Sequence, residues 1–201
     1  MARPSNTAQR RRQIIDALGR LLVQCGYDKA TIPAITREAG LSSPGLVHYH
    51  FPNKHAILMG LVEQVSAQVQ AHLSDDADSP ADALPTLLSR LLGLEDGDRA
   101  LAALWSALGA EAARNIDVQS AYRAGLDQLL EQLTTATATT LEARGRSTET
   151  ARPWAVMLLS TIEGLFHLSR AAAGVIEEGD GARRITQLAE ALLAHEPMGV
   201  S

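Results

Sequence analysis

Residues 31–54, TIPAITREAGLSSPGLVHYHFPNK, predict two short helices, the turn between them and the start of a third helix. Thr31 is a suitable N-cap for the first helix, because its side-chain oxygen can accept a hydrogen bond from the opening turn. Gly40 is expected to end that helix, since glycine adopts the left-handed conformation without strain. Ser43 before Pro44 provides a capping hydroxyl and a strong helix start. The stretch therefore predicts a helix-turn-helix.

The second helix, from Pro44 to about His50, is short and carries small and hydrogen-bonding side chains. Its predicted outer face carries Ser43, Gly45, His48 and Tyr49. Leu46 and Val47 are available for packing against the neighbouring helices. A helix that enters the major groove of DNA needs such small and polar groups, so we interpret it as a recognition helix.

This stretch resembles the N-terminal signature of the TetR/AcrR family of transcriptional regulators, over about residues 10–60. The resemblance rests on Thr31, Ile35, Ala39-Gly40, Ser43-Pro44-Gly45, His50-Phe51, Lys54 and Leu58. The turn before the recognition helix is one residue longer than in the commoner family pattern, and the family's usual tyrosine aligns with His48. The resemblance implies a DNA-binding head and a ligand-binding body, joined by a fourth helix whose tilt sets the spacing between two heads.

The resemblance also implies which side chains contact DNA. Phosphate contacts are expected from Thr31, His48 or Tyr49, and Lys54. Base contacts are expected from Ser43, Pro44, Gly45 and Tyr49. Arg10, Arg11 and Arg12 lie at the start of helix 1, where the helix dipole disfavours cations, so phosphate contact by this run is preferred over a solubilising tail. Arg11 and Arg12 are included in the predicted set. The full predicted DNA-binding set is Arg11, Arg12, Thr31, Ser42, Ser43, Pro44, Gly45, His48, Tyr49, His50 and Lys54.

The net charge of −5 is divided unevenly along the chain. Residues 1–60 hold eight Lys or Arg and three acidic residues, whereas residues 61–201 hold ten basic and twenty acidic residues. The positive segment can neutralise phosphates, and the acidic remainder limits indiscriminate binding. This pattern indicates one DNA-facing domain and not a general polyanion binder.

The composition of the rest of the chain favours helices. Hydrophobic residues make up 46% of the chain but aromatic residues only 3%, and Ala and Leu dominate. The predicted fold class is all-α with about nine helices. The predicted domains are a helix-turn-helix DNA-binding domain over residues 1–52, a connecting helix 4 over residues 53–73, and an effector-binding and dimerisation domain over residues 74–201. An acidic linker at residues 74–80 marks the boundary.

Start signals place several of the helices. Helix 1 is expected from about Gln9, after disordered residues 1–9. Asn53 is expected to cap helix 4, Asp98 to cap helix 6 and Asp117 to cap helix 7. A turn is expected at residues 95–98.

The last two helices carry long apolar faces. A single-chain core is one way to bury them. The resemblance implies instead that helices 8 and 9 pair with their copies in a homodimer. A two-fold dimer predicts a roughly palindromic operator in double-stranded DNA.

Residues that interrupt the Leu/Ala interior of helices 5 to 8 are candidates to contact a small-molecule effector. They are Trp105, Leu108, Glu111, Tyr122, Trp154, Met157, Glu163 and His167. Aromatic rings with a carboxylate suit an apolar or cationic molecule. The ordinary interpretation is that the aromatic residues are core residues and that the Glu–His pair is surface electrostatics. No cofactor is predicted.

Enzyme and metal-binding functions are not predicted. The sequence contains no Gly-rich phosphate loop, nucleophile elbow or His-Glu-x-x-His motif. His48, His50 and His55 are close in sequence, but DNA contact or packing is preferred over metal binding. A membrane span is not expected either, because no apolar run approaches the ~20 residues that it requires. The single cysteine, Cys25, and the lack of a signal-peptide pattern suit a reducing cytoplasm.

The sequence thus predicts a cytoplasmic, ligand-responsive transcriptional regulator, a repressor more than an activator, that a small molecule releases from DNA. Two alternatives stay open at this point. One is a protein-interaction module on the same fold that has lost DNA binding. The other is a helical enzyme without a recognisable motif.

Overall fold

The computed structural model describes residues 6–73, 77–96, 99–172, 174–177 and 179–194. Within these ranges the chain is all-α, with no strand, which confirms the predicted fold class. The helices are α1 (Asn6–Cys25), α2 (Ile32–Glu38), α3 (Pro44–His50), α4 (Lys54–Leu73), α5 (Ala83–Asp96), α6 (Arg99–Ala112), α7 (Ile116–Ala143), α8 (Ala151–Ala171) and α9 (Asp180–Ala194), with a short 3₁₀ helix at Pro80–Asp82. No helix in the described ranges is both long and apolar enough to cross a membrane.

Two compact units divide the chain. The first contains residues up to Gln68 together with Ala103–Tyr122, and the second contains Val69–Ala102 together with the residues from Arg123 onward. The boundaries fall inside α4, α6 and α7. The domains predicted from the sequence are defined by function and not by compactness, so that division stays a prediction.

The first unit contains the helix-turn-helix head, formed by α1, α2, α3 and the start of α4. Phe51, which follows α3, is 1% exposed and lies in the core of the head. The fully buried side chains around it are Ile14, Leu18, Ile35, Val47, Ile57, Leu58 and Leu61. They come from all four helices, so the position of α3 is fixed by apolar packing.

Three of the predicted helix ends are confirmed. Thr31 caps α2, because its Oγ1 accepts a hydrogen bond from Ala34 N at 3.3 Å. Gly40 ends α2 with φ of +64°, in the left-handed region. Asn53 caps α4, since its Oδ1 accepts a hydrogen bond from Ala56 N at 2.8 Å.

The hydroxyl of Ser43 does not cap α3, contrary to the prediction. Ser43 has the extended backbone of an N-cap, with φ of −156° and ψ of 151°, but its side chain accepts no hydrogen bond from the helix. Pro44 at the first helical position already removes one N–H that would need a partner. The exposed hydroxyl of Ser43 therefore remains at the surface of α3.

Other boundaries differ from the sequence prediction. α1 begins at Asn6, so residues 6–9 are helical and not disordered. Asn115 and not Asp117 caps α7: Asn115 Oδ1 accepts hydrogen bonds from Asp117 N at 3.2 Å and Val118 N at 3.3 Å. The Asp117 carboxylate lies instead 3.0 Å from His55 Nε2. α5 continues through Asp96, and Asp98 lies outside the described residues.

The second unit packs α5, α7, α8 and α9 around a leucine-rich core. Its side chains with 1% exposure or less include Leu84, Leu88, Leu91, Leu133, Leu141, Leu158 and Ile162. Thr140 of α7 is also fully buried, and its Oγ1 accepts a hydrogen bond from Leu84 N at 3.0 Å. The same hydroxyl donates to Pro80 O at 3.5 Å. α7 thus supplies the N-terminal cap of α5.

Candidate nucleic-acid interface

The surface of α3 consists of side chains that the fold does not bury. Val47 is fully buried and holds α3 against the head, whereas Tyr49 is 80% exposed. The other exposed residues of this segment are Ser42, Ser43, Pro44, Gly45, Leu46 and His48. His50 is half-buried, and its ring meets that of Tyr49 edge-on at 5.0 Å between centroids. We call Ser42–His50 without Val47 the α3 surface.

Gly45 occupies a position in α3 where a larger side chain would fit. A Cβ atom added there would have Ser43 Oγ as its nearest neighbour among the described residues, at an ordinary van der Waals distance of 3.7 Å. Its φ is not positive either. The fold of the chain therefore gives no reason for glycine at this exposed position. Close approach of another molecule's backbone is the usual remaining reason.

Leu46 differs from its predicted role. The sequence assigned it to packing, but its side chain is 40% exposed. α3 has only seven residues, and Val47 alone among them is buried. An exposed leucine on this surface is suited to apolar contact with a thymine methyl group, and sequence reasoning missed it.

Arg11 joins α1 to the end of α3. Its Nη1 donates a hydrogen bond to His50 O at 2.5 Å, and its guanidinium carbon lies 4.1 Å from the centroid of the Phe51 ring. A cation at the carbonyl end of a helix is favoured by the helix dipole. Arg11 nevertheless remains exposed, so its charge stays at the surface beside α3. The predicted phosphate contact therefore has a structural role as well.

Lys54 makes a similar internal contact at the start of α4. Its Nζ donates to Tyr27 O at 2.9 Å and lies 3.9 Å from the centroid of the Tyr27 ring. Burial raises the pKa of the Tyr27 phenol, and the carboxylates of Glu111 and Asp28 raise it further. The phenol is therefore neutral at physiological pH. The contact with Tyr27 gives this lysine an internal partner, besides the phosphate that the sequence suggested.

A concave surface of about 460 Å³ adjoins α3. It is lined by Thr7, Arg10, Gly40, Leu41, Ser42, Leu46, Tyr49 and His50. Thr7 and Arg10 come from the first turns of α1. Arg10 belongs to the arginine run that was expected to contact phosphate, whereas Thr7 was missed. Arg12 and Thr31, which were predicted, are exposed. The structure thus places basic and hydrogen-bonding groups of α1 beside the α3 surface.

Four of the predicted effector contacts lie together in the first unit. Trp105, Leu108 and Glu111 are at most 6% exposed. The rings of Trp105 and Tyr122 lie 4.6 Å apart between centroids. Glu111 Oε2 is 3.2 Å from Arg114 Nη2. These residues form a packed cluster with a buried carboxylate, and their contact with an effector stays a prediction.

The other four predicted effector contacts lie on α8 in the second unit. Trp154 and Glu163 are half-buried, Met157 is 40% exposed and His167 is exposed. The span from Trp154 to His167 covers about 20 Å of helix axis, so one small molecule can contact only some of the four. Their assignment also stays a prediction. Within the described residues, no group of three or more His, Cys, Asp or Glu side chains is arranged to hold a metal ion.

Comparison with known proteins finds a family model that matches the head. Residues 14–60 match the family model described as bacterial regulatory proteins, tetR family. A transcriptional repressor of Mycobacterium tuberculosis is 36% identical over 64 residues, which cover 32% of this chain and 34% of the repressor. The fatty acid metabolism regulator protein of Bacillus subtilis is 30% identical over 93 residues, or 45% of this chain and 47% of that protein. The matches thus span from a third to about half of the length of these curated relatives.

Solved structures extend the similarity to the whole fold. A transcriptional regulator from Rhodococcus covers 91% of this chain and 95% of its own, with a TM-score of 0.76 and 22% identity. A putative transcriptional regulator from Saccharomonospora viridis, solved in complex with choline, covers 94% and 97%, with a TM-score of 0.73 and 23% identity. The Bacillus subtilis regulator FadR in complex with stearoyl-CoA covers 91% and 97%, with a TM-score of 0.71 and 20% identity. At these identities the comparison shows the fold: an N-terminal helix-turn-helix and a helical C-terminal part.

Proposed function

We propose that this chain, whose N-terminal segment belongs to the TetR family of bacterial regulators, is a homodimeric transcriptional repressor. It binds a palindromic operator in the cytoplasm and leaves it when a small molecule binds the C-terminal part. The α3 surface carries this proposal: it presents Tyr49, Gly45 and the serine hydroxyls to solvent, while Val47 is the one buried residue of the helix. No reaction is assigned to the chain.

Charge supports DNA as the partner of this surface. Residues 1–60 carry eight basic and three acidic residues. Arg20 is paired with Glu38, with 2.5 Å between Nε and Oε1, but Arg10, Arg11 and Arg12 are all exposed near the α3 surface or at the start of α1. Phosphate contacts by such residues set affinity and register, and base contacts from α3 set sequence choice.

An uncovered face of α8 supports the homodimer. Met157 and Leu168 are 40% and 42% exposed, and with Thr161 and Gly164 they repeat at three- and four-residue spacing. A Cβ atom added at Gly164 would meet nothing within 4 Å among the described residues, so the chain's own packing does not require glycine there. A second copy of α8, crossing closely at Gly164, would cover this apolar face. α9, which packs against α8, would complete the four-helix interface.

Ligand response is supported by the relatives. One curated relative is a repressor, and two structural neighbours were solved with small ligands, choline and stearoyl-CoA. For the proposed mechanism, the effector must favour one tilt of α4 over another. A swing from 1:99 to 99:1 between the two states requires a difference in binding free energy of about 5.5 kcal/mol.

Selection of genomic fragments with the purified protein tests the proposal. The selected site is then bound at several salt concentrations, with a scrambled site as the control. A palindromic site and a steep salt dependence are the expected results. A folded dimer that selects no sequence, alone or with cell-extract small molecules, would contradict the proposal.

A further inference from the structure

A cavity of about 330 Å³ lies in the second unit, among the end of α4, α5 and the middle of α7. This volume is within the range of small-molecule sites in proteins. None of the eight effector residues predicted from the sequence lines it. The chemistry of a ligand for this cavity must therefore be inferred from the side chains that line it.

Three threonine residues line this cavity. Thr135 and Thr139 lie on successive turns of α7, and Thr86 lies on α5. Within the described residues, none of these three hydroxyls forms a hydrogen bond. Their neighbours Thr134 and Thr137 behave differently, because each donates to the carbonyl oxygen four residues earlier, at 2.7 and 2.6 Å. Each of the three unbonded hydroxyls can both donate to and accept from a ligand.

Gln132 adds an unsatisfied amide to the wall of the cavity. Its Nε2 donates to Gln70 Oε1 at 3.1 Å, but its Oε1 is buried and is the one such side-chain atom without a partner in the described part of the chain. A buried polar atom without a hydrogen bond costs about 1–3 kcal/mol. The last torsion of a glutamine side chain is soft. A modest rotation about this torsion would let a ligand hydroxyl donate to Oε1, while Nε2 keeps its bond to Gln70.

The side chains that line the cavity include one cation and one anion. Arg90 and Glu131 both line it, and Glu131 Oε2 also lies 3.7 Å from Arg152 Nη1. Leu73 and Leu87 supply apolar wall. A charged ligand would meet one side chain of opposite charge and one of like charge, whereas an uncharged ligand avoids the repulsion from the second. The lining thus suits a molecule with an apolar body and neutral polar groups.

We infer that this cavity binds an uncharged small molecule that carries an apolar body and at least one hydroxyl group. It is the effector site of the regulator. The second statement rests on the proposed function, and the first does not. Binding is therefore measured first without DNA.

Three six-carbon probes of matched size distinguish the chemistry: hexane-1,2-diol, hexanoate and hexylammonium. Each is titrated into the full-length protein, and methyl resonances of threonine and leucine are followed by NMR. We expect saturable shifts at Thr86, Thr135 and Thr139 with the diol, and weaker binding of both charged probes. Tighter binding of hexanoate or hexylammonium would overturn the inference, as would shifts confined to other parts of the protein or the absence of saturable binding.

Matched variants test the hydroxyl contacts. The double variant Thr135→Val, Thr139→Val keeps the side-chain shape and should raise the dissociation constant of the diol about tenfold or more. Thr134→Val is the control, because Thr134 lies on the same helix but does not line the cavity, and its hydroxyl donates to Leu130 O. An equal loss in the control would contradict the assignment.

Gln132→Met gives a second variant in case the double variant fails to fold. Removing the unpartnered oxygen should leave the melting temperature unchanged or raise it, while diol binding weakens. Gln128→Met, at an exposed position of α7, is its control. If Gln132→Met binds the diol as well as the wild type does, the amide has no part in the site.

The last arm measures operator binding with and without saturating diol. Loss of operator affinity in the wild type and not in the Thr135→Val, Thr139→Val variant identifies the cavity as the effector site. If the diol binds but no operator is found, the result would contradict the proposed function and leave the inference about ligand binding unchanged. Operator binding that the bound diol leaves unchanged would contradict the effector assignment alone.

Discussion

At Gly45 the effects of one substitution on protein stability and on DNA affinity are expected to have opposite signs. Glycine inside a helix costs about 0.5–1 kcal/mol relative to alanine, and the structure has room for the additional Cβ. We predict that Gly45→Ala raises the free energy of unfolding by roughly that amount and weakens operator binding. Denaturant titration and a DNA-binding isotherm on the same sample measure both effects. If the substitution stabilised the protein and left DNA affinity unchanged, the α3 surface would not approach DNA closely at this residue.

Tyr49 and Lys54 should respond differently to truncation. Tyr49 is 80% exposed, so Tyr49→Ala should change the free energy of unfolding by less than about 0.5 kcal/mol while weakening DNA binding. Lys54→Ala removes the contact with Tyr27 and should destabilise the head by about 1 kcal/mol as well. Thermal unfolding and operator affinity of both variants, compared side by side, check this. A large loss of stability in Tyr49→Ala would contradict the exposed position of its ring.

Sequence reasoning found most of the α3 surface because proline, glycine and serine are local signals. It assigned Leu46 to packing, because a single sequence does not say which of two adjacent apolar residues turns inward. It also missed the partners of Arg11 and Lys54. Those contacts join positions 39 and 27 residues apart, and no local pattern reports them.

The start of α5 depends on a threonine of another helix. Thr140 Oγ1 accepts a hydrogen bond from Leu84 N at 3.0 Å in a buried setting. Thr140→Val keeps the shape of the side chain but leaves that N–H unpaired, so it should lower the free energy of unfolding by about 1–3 kcal/mol. Chemical denaturation measures the change. Thr134→Val is the control and should cost less, because the hydroxyl of Thr134 bonds only to a carbonyl oxygen of its own helix, which the backbone also pairs.

Helix positions followed from the sequence more closely than helix caps did. Apolar periodicity, glycine and asparagine placed α2, α3 and α4, because these signals lie within each helix. Asn115 and Asp117 were both suitable caps for α7, and only the fold decided between them, since Asp117 pairs with His55. The cap of α5 comes from a residue 56 positions away, which no start signal in the helix itself can indicate.

In the whole molecule, dimerisation should double the number of DNA contacts, because the dimer has two heads. Three phosphate contacts per head would give a slope of about −5 in a plot of log affinity against log salt concentration for the dimer. Leu168→Glu places a charge on the uncovered face of α8 and should yield a monomer with about half that slope. Analytical ultracentrifugation and salt-dependent binding measure the two effects. Val175→Glu, at a 70% exposed residue after α8, should remain dimeric.

The contacts of Arg11 and Lys54 also affect the enthalpy and entropy of DNA binding. Long basic side chains are normally mobile in solution, and fixing one at an interface costs about 0.5–1.5 kcal/mol of rotamer entropy. In this head both side chains are already held by backbone carbonyl oxygens and aromatic rings before DNA arrives. The entropy cost of ordering these two side chains is therefore incurred when the protein folds and not when it binds DNA. The head should meet DNA as a preorganised surface, with a smaller entropic penalty than an equal number of mobile lysines and arginines would incur.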